Sequence, residues 1–393
     1  MTTAPLTDYL TRTDEDLTQE LLAAKKRLGK RLLILGHYYQ KDELFRLADI
    51  AGDSYQLSAK AAVQDAEVIL FCGVHFMAET ADILVNAPER VAARHGRRVD
   101  VLLPDPDAGC TMAEMATAEQ AEDCWRELAQ VIDVERVVPI TYVNSPADLK
   151  AFCGRHGGAA CTSSNASAVL DWAFSKGERV LFLPDQHLGR NMGQSRGLSQ
   201  EQMILWRHGN SALYRELAIL GQARSWNSAP LGGNSRSDLE KARLILWDGF
   251  CTVHQRFTLN DIARVRRDFP DAKIIVHPEC SQEVVSASDL AGSTAFILRA
   301  ISDSPKGACW AVGTEWHMVQ RLIKDFPEQT IINLAAKPCS CDSMNRITLA
   351  NLAWTLACWE AGSCVGRVSV ADSIRSDALA CLAQMLACPG TKS

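Results

Sequence analysis

Three cysteine-containing segments have the residue types and spacing of a metal site built from distant parts of the chain. Each follows an apolar run by a few residues: VLLPDPDAGC ends at Cys110, LILWDGFC ends at Cys251, and IINLAAKPCSC contains Cys339 and Cys341. The sequence has no C-x-x-C pair, so a local structural zinc site is not indicated. Thiolates from separate domains could hold a catalytic zinc ion or an iron–sulfur cluster. With three protein ligands, a four-iron cluster would leave one iron open to substrate as a Lewis acid.

A second set of polar side chains lies where apolar runs end or where helices are expected to begin. The set combines hydroxyl, amide, imidazole and carboxylate groups: His37, Tyr38, Tyr39, Ser54, Tyr142, Asn144, Ser163, Ser164, Asn165, His277, Glu279, Ser293 and Thr294. Singly, each has an ordinary structural explanation, such as a helix cap for Ser54 or Ser145. Together they suit a small polyanionic ligand, because helix N-termini and hydroxyl groups bind carboxylate or phosphate without a fixed protein charge.

Composition and motifs exclude several functional classes. The 393 residues include 41 Lys and Arg against 47 Asp and Glu, so the net charge of −6 provides no bulk attraction to nucleic acid or to an anionic membrane. The chain has no G-x-G-x-x-G after a strand and no G-x-x-x-x-G-K-[ST]. A nucleotide-driven mechanism is therefore not indicated.

The N-terminal stretch MTTAPLTDYLTRTDEDL is polar and acidic, unlike a signal peptide. No apolar run reaches the about 18 residues that a membrane helix needs. We therefore expect a cytoplasmic protein whose 14 cysteines stay reduced rather than forming a disulfide framework. Nine are expected to be core or surface thiols: Cys72, Cys124, Cys153, Cys161, Cys309, Cys358, Cys364, Cys381 and Cys388. The role of Cys280, beside an HPE motif, stays open.

The elements that must position these residues are short apolar runs alternating with helical stretches. The runs are rich in Ile, Leu and Val and do not alternate with polar residues: 32–36, 68–73, 99–104, 136–143, 179–184, 244–247, 273–278, 309–313 and 330–335. Such runs are typical of strands buried on both faces of a parallel sheet. The segments 41–64, 112–132, 145–153 and 316–325 are compatible with helices. The sequence therefore predicts an α/β fold.

A coarse repeat divides the predicted elements into three αβα units. Each unit places a thiol after its last strand, and in open α/β sheets ligands bind outside the carboxyl ends of strands. We expect a helix over 1–30, αβα domains over 31–132, 133–258 and 259–345, and a helical segment over 346–393. The stretch 192–242 interrupts the rhythm and is interpreted as a surface insertion in the second domain.

Both terminal segments show helical patterns. Thr13 and Asp16 resemble a capping box, Leu17, Leu21, Leu22 and Leu28 follow at helical spacing, and Gly29 supplies the stop. Near the other end, a second apolar stripe is expected to pack on the core: Leu349, Leu352, Ala353, Leu356 and Trp359.

The motifs, taken in order, closely resemble those of the quinolinate synthase family. The resemblance covers about residues 30–360 and rests on these segments: GHYYQ, GDSYQLS, FCGVHFMAETA, LPDPDAGCTMAE, TYVNSPADLKA, CTSSNA, FLPDQHLGRN, WDGFCTVHQRF, VHPEC, GSTAFI, VGTE and CDSMNRITL. The chain is similar to the longer form of the family.

The resemblance implies three pseudo-equivalent αβα domains around a central [4Fe-4S] cluster held by three cysteines. Matching the AGC and GFC motifs implies Cys110 and Cys251 as ligands. The CSC segment implies Cys341 as the third ligand, as in longer forms with CxC, and Cys339 is the alternate that fits compact forms.

The resemblance also implies condensation of iminosuccinate with dihydroxyacetone phosphate to quinolinate, with release of phosphate and two waters. Motif by motif, it implies these substrate-binding residues: His37, Ser54, Tyr142, Val143, Asn144, Ser163, His277, Pro278, Glu279 and Thr294. Tyr39 and Glu279 are the expected proton-transfer residues, and His277 is expected to position substrate. Functional coupling to L-aspartate oxidase, which makes the unstable iminosuccinate, is a further expectation.

Two alternatives remain at this stage. Another cluster-dependent hydro-lyase would also need three cysteines and an open iron, and substrate specificity would decide between the two. A non-enzymatic iron–sulfur or zinc carrier would expose its ligands on mobile loops rather than bury them at strand ends.

Overall fold

The computed structural model describes residues 4–208 and 229–388, in which strands and helices alternate along the chain. The strands form three mainly parallel sheets, so the predicted α/β fold is confirmed. No helix in these ranges is both long enough and apolar enough to cross a membrane.

Sheet 1 contains the first four strands and a short late one: β1 (Leu32–His37), β2 (Ile50–Gly52), β3 (Val68–Cys72), β4 (Asp100–Leu102) and β14 (Arg367–Val368). Its order is β14-β4-β3-β1-β2, with β14 antiparallel to β4 and the other pairs parallel. Every residue of β1 and β3 is buried, as expected for strands covered on both faces.

Sheet 2 has five parallel strands: β5 (Val137–Tyr142), β6 (Ala159–Cys161), β7 (Arg179–Leu183), β8 (Met203–Trp206) and β9 (Leu244–Trp247). Their order is β6-β5-β7-β9-β8. Sheet 3 has four parallel strands: β10 (Lys273–Val276), β11 (Leu290–Ala291), β12 (Cys309–Gly313) and β13 (Thr330–Asn333). Their order is β11-β10-β12-β13.

The three sheets share the order of their first three strands. In each, the second strand pairs on one side of the first, while the third strand pairs on its other side. The chain therefore moves to one side of the first strand and then crosses to its other side. The crossing point lies between β1 and β3, between β5 and β7, and between β10 and β12. Ligands of open α/β sheets bind at the carboxyl ends of strands at such a switch point.

The helices in the described ranges have these bounds: α1 (Leu6–Leu10), α2 (Asp14–Leu28), α3 (Asp42–Leu47), α4 (Ser54–Ala61), α5 (His75–Val85), α6 (Pro88–Ala93), α7 (Ala118–Leu128), α8 (Ala147–Arg155), α9 (Ala166–Lys176), α10 (Gln186–Ser195), α11 (Arg236–Lys241), α12 (Leu259–Asp268), α13 (Gln282–Ala287), α14 (Thr294–Ser302), α15 (Trp316–Asp325), α16 (Asp342–Asn345), α17 (Leu349–Glu360) and α18 (Asp372–Ala387). Short 3₁₀ turns lie at Gly29–Arg31, Ala113–Met115, Val134–Arg136, Gln200–Gln202, Pro230–Gly233 and His254–Arg256.

The N-terminal segment forms two helices, α1 and α2, rather than the single helix expected over 1–30. Thr13 caps α2 by accepting the Asp16 backbone N–H, and Gly29 ends it with a positive φ of 53°. Leu22 differs from the prediction because it is 45% exposed. On α17, four of the five predicted stripe residues are buried: Leu349, Leu352, Ala353 and Leu356. The fifth is Trp359, whose indole N–H donates to Asp100 Oδ2 at 2.9 Å.

Short edge strands are the elements that the sequence patterns missed. The predicted helical segment 41–64 is wrong in its middle, where β2 separates α3 from α4. Strands of two to four residues leave too short an apolar run to be recognised, and their place at a sheet edge depends on the neighbouring strand. The same explanation holds for β6, β8, β11 and β14.

The chain divides into two compact units. Unit 1 comprises residues 1–110, 315–321 and 340–375, and unit 2 comprises 111–314, 322–339 and 376–393. The three-domain boundaries expected from the sequence stay a prediction. Of the expected surface insertion 192–242, residues 209–228 lie outside the described residues, and its described part contributes the buried edge strand β8 and the short helix α11.

Candidate active site

The loop after β5 carries three predicted substrate-binding residues at the switch point of sheet 2. Tyr142 and Val143 are buried, and Val143 donates its backbone N–H to Cys161 at 2.7 Å. Asn144 is half-buried, and its Oδ1 atom is buried without a hydrogen-bond partner in the described residues. An orphaned buried acceptor of this kind is unusual and is consistent with a ligand-binding position.

The sequence predicts Ser145 as a helix cap, but in the structure Ser145 stabilises this loop instead. Its hydroxyl donates to the Tyr142 carbonyl at 2.8 Å, while Pro146 occupies the N-cap position of α8. The fully buried Lys150 ammonium donates to the Ser145 carbonyl. The loop therefore has a fixed backbone, which holds Tyr142 and Asn144 in one orientation.

The loop after β10 carries the HPE motif at the switch point of sheet 3. His277 and Glu279 are 2% and 3% exposed. The side-chain amide of Asn191, on α10, donates to the carbonyls of Pro278 and Cys280 at 2.8 and 3.0 Å. His277 Nδ1 accepts the Glu279 backbone N–H at 3.4 Å, so a neutral His277 carries its proton on Nε2.

A network of buried side chains surrounds the Glu279 carboxylate. His254 Nδ1 lies 2.8 Å from Glu279 Oε2, and His254 Nε2 lies 3.3 Å from Thr314 Oγ1. The Tyr142 hydroxyl also donates to Glu279. The His254 and His277 rings stack with centroids 4.5 Å apart. The network thus joins residues from the loops after β5, β9, β10 and β12 in one buried cluster within unit 2.

The electrostatics of this cluster keep Glu279 ionised. Burial alone would raise its pKa, but the charges of His277 and His254 and the hydrogen bonds from His254 and Tyr142 lower it below the usual range. Because an ionised carboxylate only accepts hydrogen bonds, His254 Nδ1 and the Tyr142 hydroxyl must be the donors. The arrangement places an ionised carboxylate and the Tyr142 hydroxyl in one hydrogen-bonded pair.

His254 and Thr314 are site residues that sequence reasoning did not assign. The sequence did contain a signal for His254, because GFCTVH spaces it three residues after Cys251. Cys251, His254 and Glu279 offer ligand atoms within 4.8 Å of one another, and within the described ranges this is the one such group. These residue types are compatible with a metal centre.

The buried Asp185 and the half-buried His187 are two more titratable residues that the sequence did not single out. Asp185 follows β7 and caps α10 by accepting the Leu188 N–H at 2.7 Å. Burial and the charge of Glu279 raise the pKa of Asp185 well above its usual range. Burial, with a smaller contribution from the charge of Arg190, lowers the pKa of His187 to about 4, so this imidazole is neutral at pH 7.

In unit 1, the loop after β1 carries His37 and Tyr39. His37 is buried, and its Nδ1 accepts the Tyr39 backbone N–H at 3.1 Å, in the same manner as His277. Tyr39 is half-buried, with its ring edge-on to His37 at 4.9 Å. Arg321, on α15, holds the loop from the other side, donating to the carbonyls of Tyr38 and Gln40.

Ser54 opens α4 but does not cap it. Asp53 is the N-cap residue and forms a capping box with Gln56, so the helix has no need of the Ser54 hydroxyl. The interpretation of Ser54 as a cap is therefore wrong, and its hydroxyl remains a candidate ligand group.

Ser163 and Thr294 lie at two further helix starts in unit 2. Ser163 is half-buried in a loop organised by Asn165, whose Oδ1 accepts the Thr162 N–H at 2.7 Å. A helix does start at Ser293 and Thr294 as predicted: Thr294 is the first residue of α14, and Ser293 caps it.

All 14 cysteines lie in the described residues, and none of them forms a disulfide bond there. Cys110, Cys251 and Cys341 are half-buried, whereas Cys339 and Cys280 are buried. Of the nine expected core or surface thiols, seven are buried, and Cys309 and Cys364 are half-buried.

The predicted site residues are divided between the two units. Unit 1 contains His37, Tyr39, Ser54, Cys110 and Cys341. Unit 2 contains Tyr142, Val143, Asn144, Ser163, Cys251, His277, Pro278, Glu279, Thr294 and Cys339. Within unit 2, Tyr142, His277 and Glu279 come together, as do His37 and Tyr39 within unit 1.

The donor chemistry of the cysteines fits an iron–sulfur group. Thiolate sulfur is the ligand that such clusters require, and hydrogen bonds to the sulfurs tune them. Burial raises the pKa of the Cys341 thiol to about 11, while backbone N–H groups of Met344 and Ser343 act in the opposite direction. Those N–H groups would stabilise a metal-bound thiolate at Cys341.

Comparison with known proteins assigns the chain to a family. The family described as Quinolinate synthetase A protein matches residues 19–387. A quinolinate synthase of Rhodopirellula baltica is 48% identical over 98% of this chain and 93% of its own length. The Corynebacterium glutamicum and Streptomyces coelicolor quinolinate synthases are each 44% identical, over 96% and 97% of this chain and 89% and 91% of their own lengths.

These matches extend over nearly the whole chain and include every loop of the buried cluster around Glu279. The resemblance inferred from the motifs is therefore confirmed, and the chain belongs to the quinolinate synthetase A family.

Proposed function

We propose that the chain is a quinolinate synthase, a transferase that joins iminosuccinate to dihydroxyacetone phosphate. Iminosuccinate (C4H5NO4) and dihydroxyacetone phosphate (C3H7O6P) together contain the atoms of quinolinate (C7H5NO4), phosphoric acid and two waters. The reaction therefore needs no external oxidant or reductant. It does need proton transfer, to form an enol, to expel phosphate and to remove two hydroxyl groups as water.

The observation that best supports this proposal is the ionised Glu279 carboxylate, hydrogen-bonded to His254 and Tyr142 in the buried cluster. General acid–base catalysis requires a group within about 2.6–3.2 Å of the proton that it moves, or one water away. Glu279 is enclosed by its partners, so we expect the Tyr142 hydroxyl to relay protons between Glu279 and substrate. Tyr39 is the second proposed proton-transfer residue.

The remaining residues are proposed to bind and orient the substrates. His277 and His37 each present Nε2–H when neutral, because their Nδ1 atoms accept a backbone N–H. Such donors suit carboxylate or phosphate oxygens. Val143 and Pro278 would contribute through their backbone, and the other proposed contacts come from the side chains of Ser54, Asn144, Ser163 and Thr294.

The proposed cofactor is one [4Fe-4S] cluster held by Cys110, Cys251 and Cys341, with Cys339 as the alternate third ligand. When bound, it would supply a Lewis acid through the iron that has no cysteine ligand. Iminosuccinate is an unstable imine, so functional coupling to L-aspartate oxidase, which would produce it by amino-acid oxidation, belongs to the proposal.

The test is anaerobic purification followed by iron and sulfide analysis and a quinolinate assay. Iminosuccinate would be generated in the assay and dihydroxyacetone phosphate added. We expect about four irons per chain and quinolinate formation for wild type. Cys110→Ser and Cys251→Ser should lose both, whereas Cys309→Ser, which alters another half-buried thiol, should retain both.

Two results would contradict the proposal. Cluster-loaded protein without quinolinate formation would favour another cluster-dependent hydro-lyase. Zinc without sulfide would instead favour a mononuclear site, for which Cys251, His254 and Glu279 are the grouped ligands.

A further inference from the structure

Glu315 is a fully buried carboxylate two residues after β12, with no role in the proposed chemistry. Its Oε2 atom accepts the backbone N–H groups of His317 and Met318 at 2.7 and 3.3 Å. These are donors of the first turn of α15, which would otherwise lack intrahelical partners. One oxygen of Glu315 thus caps α15.

The other carboxylate oxygen reaches a distant part of the chain. Glu315 Oε1 accepts the Cys341 backbone N–H at 3.2 Å, across 26 residues of sequence, and lies 2.9 Å from His317 Nδ1. Capping alone would favour Asp, Asn, Ser or Thr, whose short side chains reach the first turn directly. The longer glutamate is needed because the same carboxylate also holds Cys341.

The two cysteines of the CSC segment differ in their surroundings. Cys341 is half-buried, its backbone is held by Glu315, and it directly precedes α16. Cys339 is buried, and its thiol lies 3.6 Å from the Lys337 carbonyl. A ligand thiol must be both oriented and accessible to the metal, and Cys341 meets both conditions.

We propose that Glu315 is a positioning residue that fixes the backbone of Cys341 and so makes Cys341, rather than Cys339, the third cysteine ligand. This inference rests on the proposed iron–sulfur function. A carboxylate-to-amide hydrogen bond is charge-assisted and therefore stronger than a neutral one. Groups that orient metal ligands in this way typically contribute 10- to 100-fold in metal affinity.

The principal variant is Glu315→Asp, which can still cap α15 but is one methylene too short to hold Cys341 as well. Glu315→Gln is the second variant. The NH2 group of its side-chain amide would face either the N–H groups of His317 and Met318 or the N–H of Cys341, and two donors cannot form a hydrogen bond. Glu328→Asp makes the same change at an exposed ion pair with Lys306 and serves as the control.

The first readout uses metal-free protein and does not depend on activity. Hydrogen exchange, followed by mass spectrometry of a peptide covering Cys341, reports local opening of this backbone. We expect faster exchange in Glu315→Asp with little change in the midpoint of thermal unfolding, and wild-type exchange in the control.

The second readout uses reconstituted holoprotein. We expect Glu315→Asp to release iron to a chelator about tenfold faster than wild type or the control. Cys341→Ser should fail to retain the cluster, and Cys339→Ser should retain it.

The proposal is overturned if Glu315→Asp exchanges and releases iron like wild type, or if Cys339→Ser rather than Cys341→Ser loses the cluster. In both cases wild type still carries iron and sulfide, so the proposed function stands. Wild type without iron and sulfide would instead remove the proposed function and, with it, this inference.

Discussion

The loops after β10 and β1 begin alike and are then held in different ways. In each, a histidine at the carboxyl end of the first strand of its sheet (His37 in β1, His277 just after β10) accepts, through Nδ1, the backbone N–H two residues later. After β10, the side chain of Glu279 is itself bonded within a buried cluster. After β1, Arg321 donates to the backbone carbonyls of Tyr38 and Gln40, and Tyr39 is half-buried.

The difference separates two ways of preparing a site. Around Glu279, the structure sets the protonation and hydrogen bonding of the functional group, so substitutions should change the chemistry. Around Tyr39, Arg321 holds the loop through its backbone carbonyls, so substitutions of Arg321 should act through geometry.

The largest expected effect is that of Glu279→Gln. The amide keeps the shape of the carboxylate but cannot take up a proton, so we expect turnover to fall about 10²- to 10⁴-fold. Steady-state quinolinate formation by protein of known iron content is the measurement. Glu283→Gln, four residues on and exposed, is the matched control. Normal turnover by cluster-loaded Glu279→Gln would refute the role of this residue.

Burial near Glu279 should also be visible in the pH dependence of stability. The pKa of His187 is about 4 in the folded protein and about 6.5 in the unfolded chain. Between these two pH values, His187 is therefore protonated only in the unfolded chain. His187 should therefore reduce the free energy of unfolding by about 3 kcal/mol as pH falls from about 6.5 to about 4.

Urea unfolding of metal-free wild type and His187→Gln across this pH range would measure the difference. The variant should lose less stability on acidification, whereas exposed His95→Gln should follow wild type. Parallel curves for wild type and His187→Gln would mean that His187 is not shielded from water.

Arg321→Lys tests whether the position of the loop after β1 matters for turnover. Lysine keeps the charge but cannot span two carbonyls as the planar guanidinium does, nor stack on Phe45, whose centroid lies 3.7 Å from Arg321 Cζ. We expect about a tenfold loss of turnover at unchanged iron content. Arg299→Lys, at an exposed position of α14, should have no effect. A pH profile shifted as well as lowered would contradict a purely geometric role.

The smallest effects are expected at the start of α4. Asp53→Ala removes the cap and should cost about 1 kcal/mol of unfolding free energy. Ser54→Ala should change stability by no more than about 0.5 kcal/mol but raise the KM for substrate, because the hydroxyl is not needed for capping. A stability loss for Ser54→Ala equal to that for Asp53→Ala would reverse these assignments.

Strand interiors and strong helix signals could be predicted from the sequence because their causes are local. β1, β3, β5, β7, β9, β10, β12 and β13 each coincide with an unbroken apolar run, and α15 has the predicted bounds. Thr13 and Ser293 cap their helices because capping needs only residues within one turn. The edge strands β2, β6, β8, β11 and β14 were missed because pairing with a neighbour, rather than their own two to four residues, makes them strands.

The sequence by itself determined the α/β fold, the strand ends at which polar side chains gather, and the family to which the chain belongs. Only the tertiary structure decided that His254 and Thr314 join Tyr142 and Glu279, and that Glu315 holds Cys341. The physical reason is separation: these partners are 25 to 60 residues apart or more, and strand order rather than spacing brings them within hydrogen-bonding distance. The ionisation of Glu279 likewise depends on groups that meet only when the chain folds.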